Sequence, residues 1–466
     1  MPSQYTVKSG DSLSKIAQAH GVTLGELLKA NAKLSQDGRN PSLIYPGEAV
    51  MIPGKSAFSS RVSVKCGTTT CAPVSSHARL QLKSVMFSGG NEIDNDTFGN
   101  FDTLKGLPTP HFLVGRAADL SPLVQRPAQF PYSIPRATKL GLTAIFEVTQ
   151  KPVTSELVAL DAEVTVNGTM LRFRCDVTVG PSDTEVTTAR LASDVELPNT
   201  ILKVDPLTLN WFQTPSDMAR HAAGSSTNTL YVTRDVPTKS PLHWTLLEVS
   251  CAAASGKTTI AELRTLSYGA LQTRAIKRAR DKHDLTYWNP QIPGASSTQL
   301  LLAAPNGSGE CGAWADFLID MWKAHGDDRG HKVIIAQDII QFINNLPVAL
   351  FLVKDWRFDP PHPSNPRTFH YEFQNKCFET PGVPGQNNPN PPPHFANHFI
   401  VIADGKFYDP SYGSPVFSTK LEWENASIDG LGNGNYKRGN HGGYRKSDLS
   451  STQLLQFADM NTGKFL

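Results

Sequence analysis

Between Arg79 and Cys251, apolar residues fall at alternate positions in a series of short runs: LQLKSVMF, GLTAIFEVT, LVALDAEVTV, TMLRFRCDVTV, NTILKVD, NTLYVT and LHWTLLEVS. Period two is the spacing of a strand with one face buried, and turn residues separate the runs, so each is expected to be a strand. Asn167-Gly168 stands between two of them and predicts a two-residue hairpin. Roughly seven strands with little helical spacing predict a central β-sandwich over 79–254.

The pattern differs on either side. Over 1–55 it predicts a small βααβ unit. A strand at Tyr5 to Val7 leads through Ser9-Gly10 into a helix that Asp11 or Ser12 caps, with Leu13, Ile16 and Ala17 on one face and Gly21 past its end. Thr23 and Glu26 are spaced as a capping box for a second helix carrying Leu24, Leu27 and Leu28, and the last strand runs from Ala49 to Ile52. A linker over 56–78 joins this unit to the sandwich. After Ser255 the pattern turns helical through TTIAELRTLSYGALQTRAIKRARDKH, whose Arg274, Lys277, Arg278, Arg280 and Lys282 read as a solvated helix face. The whole is expected to be a multidomain α+β chain with a C-terminal domain over 255–466.

The motifs SGDSLSKIA, Asn31 and IYPGEAVMIP resemble the start, middle and end of the LysM module. The resemblance implies binding of N-acetylglucosamine glycans, as in peptidoglycan or chitin. Carried over position by position, the groove comprises Gly10, Asp11, Ser12 and Leu13 opposite Asn31, Ile44, Pro46 and Gly47. Gly10 and Gly47 serve equally well as turn residues.

Composition narrows the field. A chain of 466 residues is long enough for two to four domains, and a formal net charge of +2 offers no field that would favour nucleic acid. No run approaches the roughly 20 apolar residues of a membrane span. The N-terminus lacks a basic region followed by an apolar run, so secretion without an ordinary signal peptide, to the cell wall or periplasm, is the expectation. Six cysteines do not make a disulfide scaffold. Cys66 and Cys71 are spaced to close a small loop, whereas Cys175 and Cys251 read as core. Paired CxxC and HExxH motifs are missing, so neither metal nor cofactor is expected. His111, His221 and His243 stand alone and read as surface or satisfied core residues.

One cysteine has a different setting. In NGSGECGAWADFLIDMW, residues 306–309 cannot easily continue a helix, whereas Trp314, Phe317, Leu318 and Met321 recur at helical spacing. Cys311 therefore falls in the first turn of a helix, where unpaired N–H groups and the macrodipole favour a thiolate. The glycines would let a substrate carbonyl approach, and the Cys311 N–H would contribute to an oxyanion hole. A buried inert thiol is the plain alternative.

The stretch HFIVIADGKFYDPSYG supplies a base and an orienting acid. Asp404-Gly405 predicts a two-residue turn, pairing Ala403 with Lys406, Ile402 with Phe407 and Ile400 with Asp409, which makes His398 and Asp409 diagonal neighbours on one face. A carboxylate there fixes the imidazole tautomer. His394, four residues earlier, ranks second as base, and Cys377 reads as structural. The loop PGVPGQNNPNPPPH is expected to be a solvated connection or lid, and Gly430 to Tyr444 a mobile flap.

GECGAWA, NHFIVI and FYDP together resemble the transglutaminase-like branch of the papain-like superfamily. The resemblance implies Cys311 as nucleophile, His398 as base and Asp409 as orienting acid. Gln299 and Trp288 are the candidates for an upstream oxyanion donor. The leading function is a peptidoglycan-targeted cysteine amidase or peptidase, an antibacterial toxin with a delivery apparatus and an immunity protein among its partners. A protein transglutaminase or glutamine deamidase with LysM as docking module is the second reading. A catalytically silent, glycan-anchored binding protein is the third.

Overall fold

The computed structural model describes residues 3–8, 13–20, 27, 30–31, 47–52, 77–96, 106–107, 109–114, 129–216, 219–240, 242–289, 292–354, 361–362, 365–369, 383–433 and 442–466. The chain forms two compact units, Met1–Val74 and Ser75–Leu466.

In the first unit the strands Ser3–Thr6 and Ala49–Ile52 pair antiparallel, with Thr6 opposite Ala49. Alternation turns Val50 and Ile52 inward, where they meet Val7, Leu27 and the Leu13, Ile16 and Ala17 face of the helix Leu13–His20. Of the second expected helix, only Leu27 and Ala30 lie among the described residues.

The second unit begins with two five-stranded sheets. One runs in the order Glu185–Thr187, Gly141–Gln150, Arg79–Ser88, Phe112–Leu113, with Leu191–Ala192 also on Gly141–Gln150. The other is Tyr132–Pro135, His221–Thr233, Leu202–Pro215, Glu156–Val166, Thr169–Val179. Their inward residues form one core, in which Phe146 of the first sheet meets Trp211 of the second edge-on at 5.2 Å. Asn167 (φ 46°) and Gly168 (φ 82°) make the hairpin turn that pairs Val166 with Thr169; both central residues are left-handed, as a type I′ turn requires.

Two expectations from the sequence are corrected. LHWTLLEVS is a strand only at Leu242–His243 and then a helix, Trp244–Ala253. Its apolar positions fit period two, but Leu246, Leu247, Ser250 and Cys251 also share a helical face and are all buried. The deciding contact comes from far away in sequence: the Asp96 carboxylate accepts the Thr245 N–H at 3.2 Å and its hydroxyl at 2.6 Å, satisfying the helix's first turn. The basic run is not a helix face either. The helix Ile260–Gln272 ends before it, Arg274 is left-handed (φ 55°), and Arg278 is buried, donating to the carbonyls of Leu302 and Ala304 at 2.7 Å and to Asp281.

Two four-stranded sheets complete the unit. Lys406–Tyr408, Asn397–Ala403, His331–Ala336 and Gln456–Asp459 form one; His394–Phe395, Leu350–Val353, Ile428–Asn433 and Gly442–Arg445 form the other. The expected flap therefore has strands at both ends, with 434–441 outside the described residues. The helix Cys311–Lys323 sits in the core between these elements, buried on nearly every side. A further core joins Ile201, just before the strand Leu202–Pro215, and Tyr231 of the same large sheet to Leu247, Cys251, Leu263 and Ala324. The expected division at 254/255 falls at the turn between two helices that both cover this core. Among the described residues, no helix is long and apolar enough to cross a membrane.

Candidate functional site

Cys311 is the first residue of its helix and is half-buried. The approach to it is built by a short parallel pair, Thr286–Tyr287 beside Ser308–Gly309, and the Trp288 N–H donates to the Gly309 carbonyl at 2.8 Å. Gly307 is needed here: it has φ 58°, and a Cβ would lie 2.8 Å from the Asp284 carbonyl oxygen. Gly309 differs from expectation. A Cβ there would meet the Leu301 side chain at 2.9 Å, so its smallness serves packing rather than substrate approach. Glu310 occupies the N-cap position without capping through its side chain, and burial raises its carboxyl above the ordinary value.

The hairpin that carries His398 turns at Asp404 (φ 48°) and Gly405 (φ 72°), pairing Ala403 with Lys406, Ile402 with Phe407 and Val401 with Tyr408. The strand pairing ends one position short of Ile400 and Asp409, yet His398 Nε2 lies 2.9 Å from Asp409 Oδ2 and both side chains are 1% exposed. An ionised Asp409 only accepts, so Nε2 carries a proton, and the second proton of the imidazolium sits on Nδ1. Nδ1 completes no ordinary hydrogen bond among the described residues, and the Cys311 sulfur is the further group acting on the ring. Burial disfavours the charged imidazole, but Asp409 and Cys311 outweigh it and raise its pKa from 6.5 to about 10. His394 takes no part in this arrangement. It pairs with Leu352 in another sheet, and burial lowers its pKa to about 4.

Three groups that sequence reading missed hold the site. Tyr268 donates to the Ser414 carbonyl at 2.7 Å and accepts the Asp409 N–H at 3.1 Å, fixing the acid's backbone. Tyr287 and Tyr412 are buried beside the site with rings 5.1 Å apart. Burial drives both phenols well above their ordinary pKa, and the charges of Cys311 and Asp409 add to it. Over its described part the proline-rich loop is packed as well as solvated: Pro384, Pro389 and Asn390 are exposed, while Gly385, Gln386 and 391–393 are buried. Gln386 Nε2 donates to the carbonyls of Leu271 and Pro410, Asn387 Nδ2 to those of Ile276 and Leu285, and Asn388 Nδ2 to those of Tyr287 and Trp288. Three consecutive amides thus clasp the segments that lead to Cys311 and Asp409. Runs of Asn among prolines were the available signal. Of the oxyanion candidates, Gln299 is exposed on the short helix Thr298–Ala303, and Trp288 packs on Phe395 with its backbone N–H donated to Gly309. Cys66, Cys71 and Cys377 lie outside the described residues.

At the N-terminus, Leu13 is buried in its unit's core. Asn31 is committed to backbone: Nδ2 donates to the carbonyls of Leu27 and Met51, and Oδ1 accepts the Met51 N–H, each at 2.7 Å. These two side chains are spent on the unit's own core and backbone. Gly47 makes a left-handed turn (φ 95°) and donates to the Val7 carbonyl. Gly10, Asp11, Ser12, Ile44 and Pro46 lie outside the described residues. Comparison with known families matches residues 5–53 to a single model, described as the LysM domain. Residues 5–53 form a LysM domain. The chain is also similar to the N-acetylmuramoyl-L-alanine amidase sle1 of Staphylococcus epidermidis, 33% identical over 97 residues that make up 18% of this chain and 28% of that protein. The amidase of the same name from Staphylococcus aureus strain USA300 is 35% identical over 78 residues, 17% of this chain and 22% of that one. The match lies in the LysM region, so the chain spans only about a quarter of the length of these relatives.

Proposed function

We propose that the protein is a peptidoglycan-directed cysteine hydrolase. The LysM domain holds it on N-acetylglucosamine-containing wall glycan, and Cys311, His398 and Asp409 cleave an amide in the wall. The observation that carries this reading is the conjunction at one point of a half-buried cysteine opening a helix and an imidazole whose Nε2 is bonded to a buried carboxylate. The relatives named as amidases support wall targeting through the LysM region alone.

The imidazolium, stabilised by Asp409, favours the thiolate form of Cys311, and the position at a helix start adds to this. The thiolate attacks the amide carbonyl, the tetrahedral oxyanion collapses, and His398 passes its proton to the leaving amine. Neutral His398 then takes a proton from water, whose oxygen attacks the thioester and releases the acid and the thiol. An amine in place of water would give acyl transfer, and a glutamine substrate would give ammonia. The transferase reading therefore shares every step but the last, and the deamidase reading differs only in its substrate and leaving group.

Mass spectrometry of purified peptidoglycan treated with the intact protein or with Cys311→Ala is the test. New muropeptides made only by the intact protein are the expected result and identify the bond. Unchanged wall, with ammonia released from a glutamine-rich protein in a Cys311-dependent way, would replace hydrolysis by glutamine modification. Neither product, with Cys311 unreactive to iodoacetamide, would leave a binding protein.

A further inference from the structure

A cavity of about 200 Å³ has His398 and Asp409 in its wall but not Cys311. The rest of the wall is largely apolar, with Phe351, Phe395, Trp423 and Ile428 among its residues. Four residues of that wall carry a buried polar atom without a hydrogen-bond partner among the described residues, but the Cys311 sulfur acts on the His398 ring and Tyr287 on the Tyr412 phenol, which leaves two. Asp409 Oδ1, on the oxygen not used by His398, and Trp423 Nε1 are both buried without a hydrogen-bond partner among the described residues. Such atoms are costly to leave unpaired and so call for an explanation.

The chemistry of the wall selects among occupants. A cation would satisfy Asp409 but not the indole N–H, and it would meet the charge of Arg274, which also lines the cavity. An anion would suit Arg274 but meet the Asp409 carboxylate. A neutral hydroxyl donates one hydrogen bond and accepts another, which answers both orphan atoms at once. The size suits one small ring, since an apolar cavity of roughly 150 Å³ admits benzene.

We propose that this cavity binds a small neutral molecule, or a substrate group, that carries one hydroxyl on a phenol-sized apolar body, and that its occupant tunes the His398–Asp409 pair. A hydrogen bond donated to Asp409 Oδ1 withdraws charge from the carboxylate, weakens its hold on the imidazolium and so makes the Cys311 thiolate less favourable. The binding stands on the cavity alone; the effect on Cys311 rests on the proposed thiol–imidazole pair.

The test uses the full chain with phenol and toluene as probes. Calorimetry on Cys311→Ala, which leaves the cavity wall intact, measures binding without thiol chemistry. Phenol is expected to bind saturably and about tenfold more tightly than toluene, the factor expected for satisfying one buried polar group. Ala426→Phe, at an exposed position on the cavity wall, should abolish the binding without disturbing the fold as read by circular dichroism. In the intact protein, saturating phenol should slow iodoacetamide labelling of Cys311 by at least about fivefold, a modest coupling between neighbouring sites. No saturable binding would mean a cavity for water only, and equal binding of toluene would mean an apolar void; either overturns the proposal. So does phenol binding that survives Ala426→Phe. Binding that leaves Cys311 labelling unchanged overturns the tuning. If Cys311 proves inert, the enzymatic reading fails while the calorimetric result still stands.

Discussion

Among its described residues the Ser75–Leu466 unit holds two cysteine–histidine pairs, and they are opposites. In the core shared with the large sheets, Cys251 Sγ lies 3.9 Å from His325 Nε2, and the same nitrogen is 2.9 Å from Ser250 Oγ. No carboxylate is bonded to this imidazole among the described residues; its Nδ1 accepts the Arg234 N–H. Burial, with the Arg234 charge adding to it, lowers the His325 pKa to about 3, and burial pushes the Cys251 thiol up. The second pair is Cys311 and His398, where an Asp reverses the sign for the ring and a helix start holds the sulfur half-exposed. Proximity of sulfur and imidazole is therefore not what marks a reactive site. The carboxylate and the access are.

Removing the carboxylate should convert the second pair toward the first, and this is the largest effect expected. Asp409→Asn keeps the shape but removes the charge and the tautomer control. Wall cleavage should fall about 10⁴-fold, by analogy with the loss of the orienting acid in serine triads. Muropeptide release rates for the two proteins measure it. A loss below tenfold would remove Asp409 from the mechanism.

The two sulfurs offer a direct comparison without any substrate. Under native conditions and neutral pH, iodoacetamide should label Cys311 at least about 100-fold faster than Cys251, because the thiolate is the nucleophile and Cys251 is buried as a raised-pKa thiol. Cys175, whose pKa burial raises to about 11, should follow Cys251 more closely than Cys311. Peptide-resolved mass spectrometry over time reads all three. Equal rates at Cys311 and Cys251 would make Cys311 a structural thiol.

The reason that one pair was visible in the sequence and the other was not is physical. His398, Asp404-Gly405 and Asp409 sit within one hairpin, where the turn sets the register and register sets the face, so local rules reach the pair. Cys311 was visible because residues 306–309 break a helix just before a helical apolar stripe. Cys251 and His325 lie 74 residues apart, and no local pattern relates them. The same distance problem hid the Asp96 cap of Thr245, which turns LHWTLLEVS into a helix, and the Gln386–Asn388 clasp, which packs a loop that composition alone marks as solvated. The large sheets were legible because one face of each strand is buried. The strand Leu350–Val353 is buried at every position and offers no alternation to read.

Arg264 ties the two histidine segments together, so its loss should disturb both. It is buried, bonded through Nε and Nη2 to both oxygens of Asp327, two residues after His325, and through Nη1 to Asp404 in the turn that follows the His398 strand. Arg264→Ala would leave the buried Asp327 without its main partner, which costs roughly 3–5 kcal/mol when one member of a buried ion pair is removed. Urea unfolding should show a lower midpoint with little change in slope. Arg264→Lys should recover only part of the loss, because an ammonium cannot reproduce the forked contact. A cost under about 1 kcal/mol for the alanine variant would mean that the hairpin is held by packing alone.

The gentlest difference between the pairs lies in their pH dependence, and its signs are opposite. His398 has a folded pKa raised to about 10 against 6.5 unfolded, so between those values the folded state holds a proton that the unfolded state has lost. Stability from this ring is full below pH 6.5 and declines as pH rises towards 10. His325 has a folded pKa lowered to about 3, so between pH 3 and 6.5 the unfolded state holds the extra proton, and stability falls as the pH drops through that window. Thermal midpoints across pH 4 to 10 should therefore show an alkaline slope that His398→Asn removes and an acid slope that His325→Asn removes. Each variant should leave the other slope in place, because no hydrogen bond joins the two rings among the described residues. An alkaline slope that survives His398→Asn would show that Asp409 does not hold a proton on that ring, and the contrast between the two cysteine–histidine pairs would reduce to one of exposure.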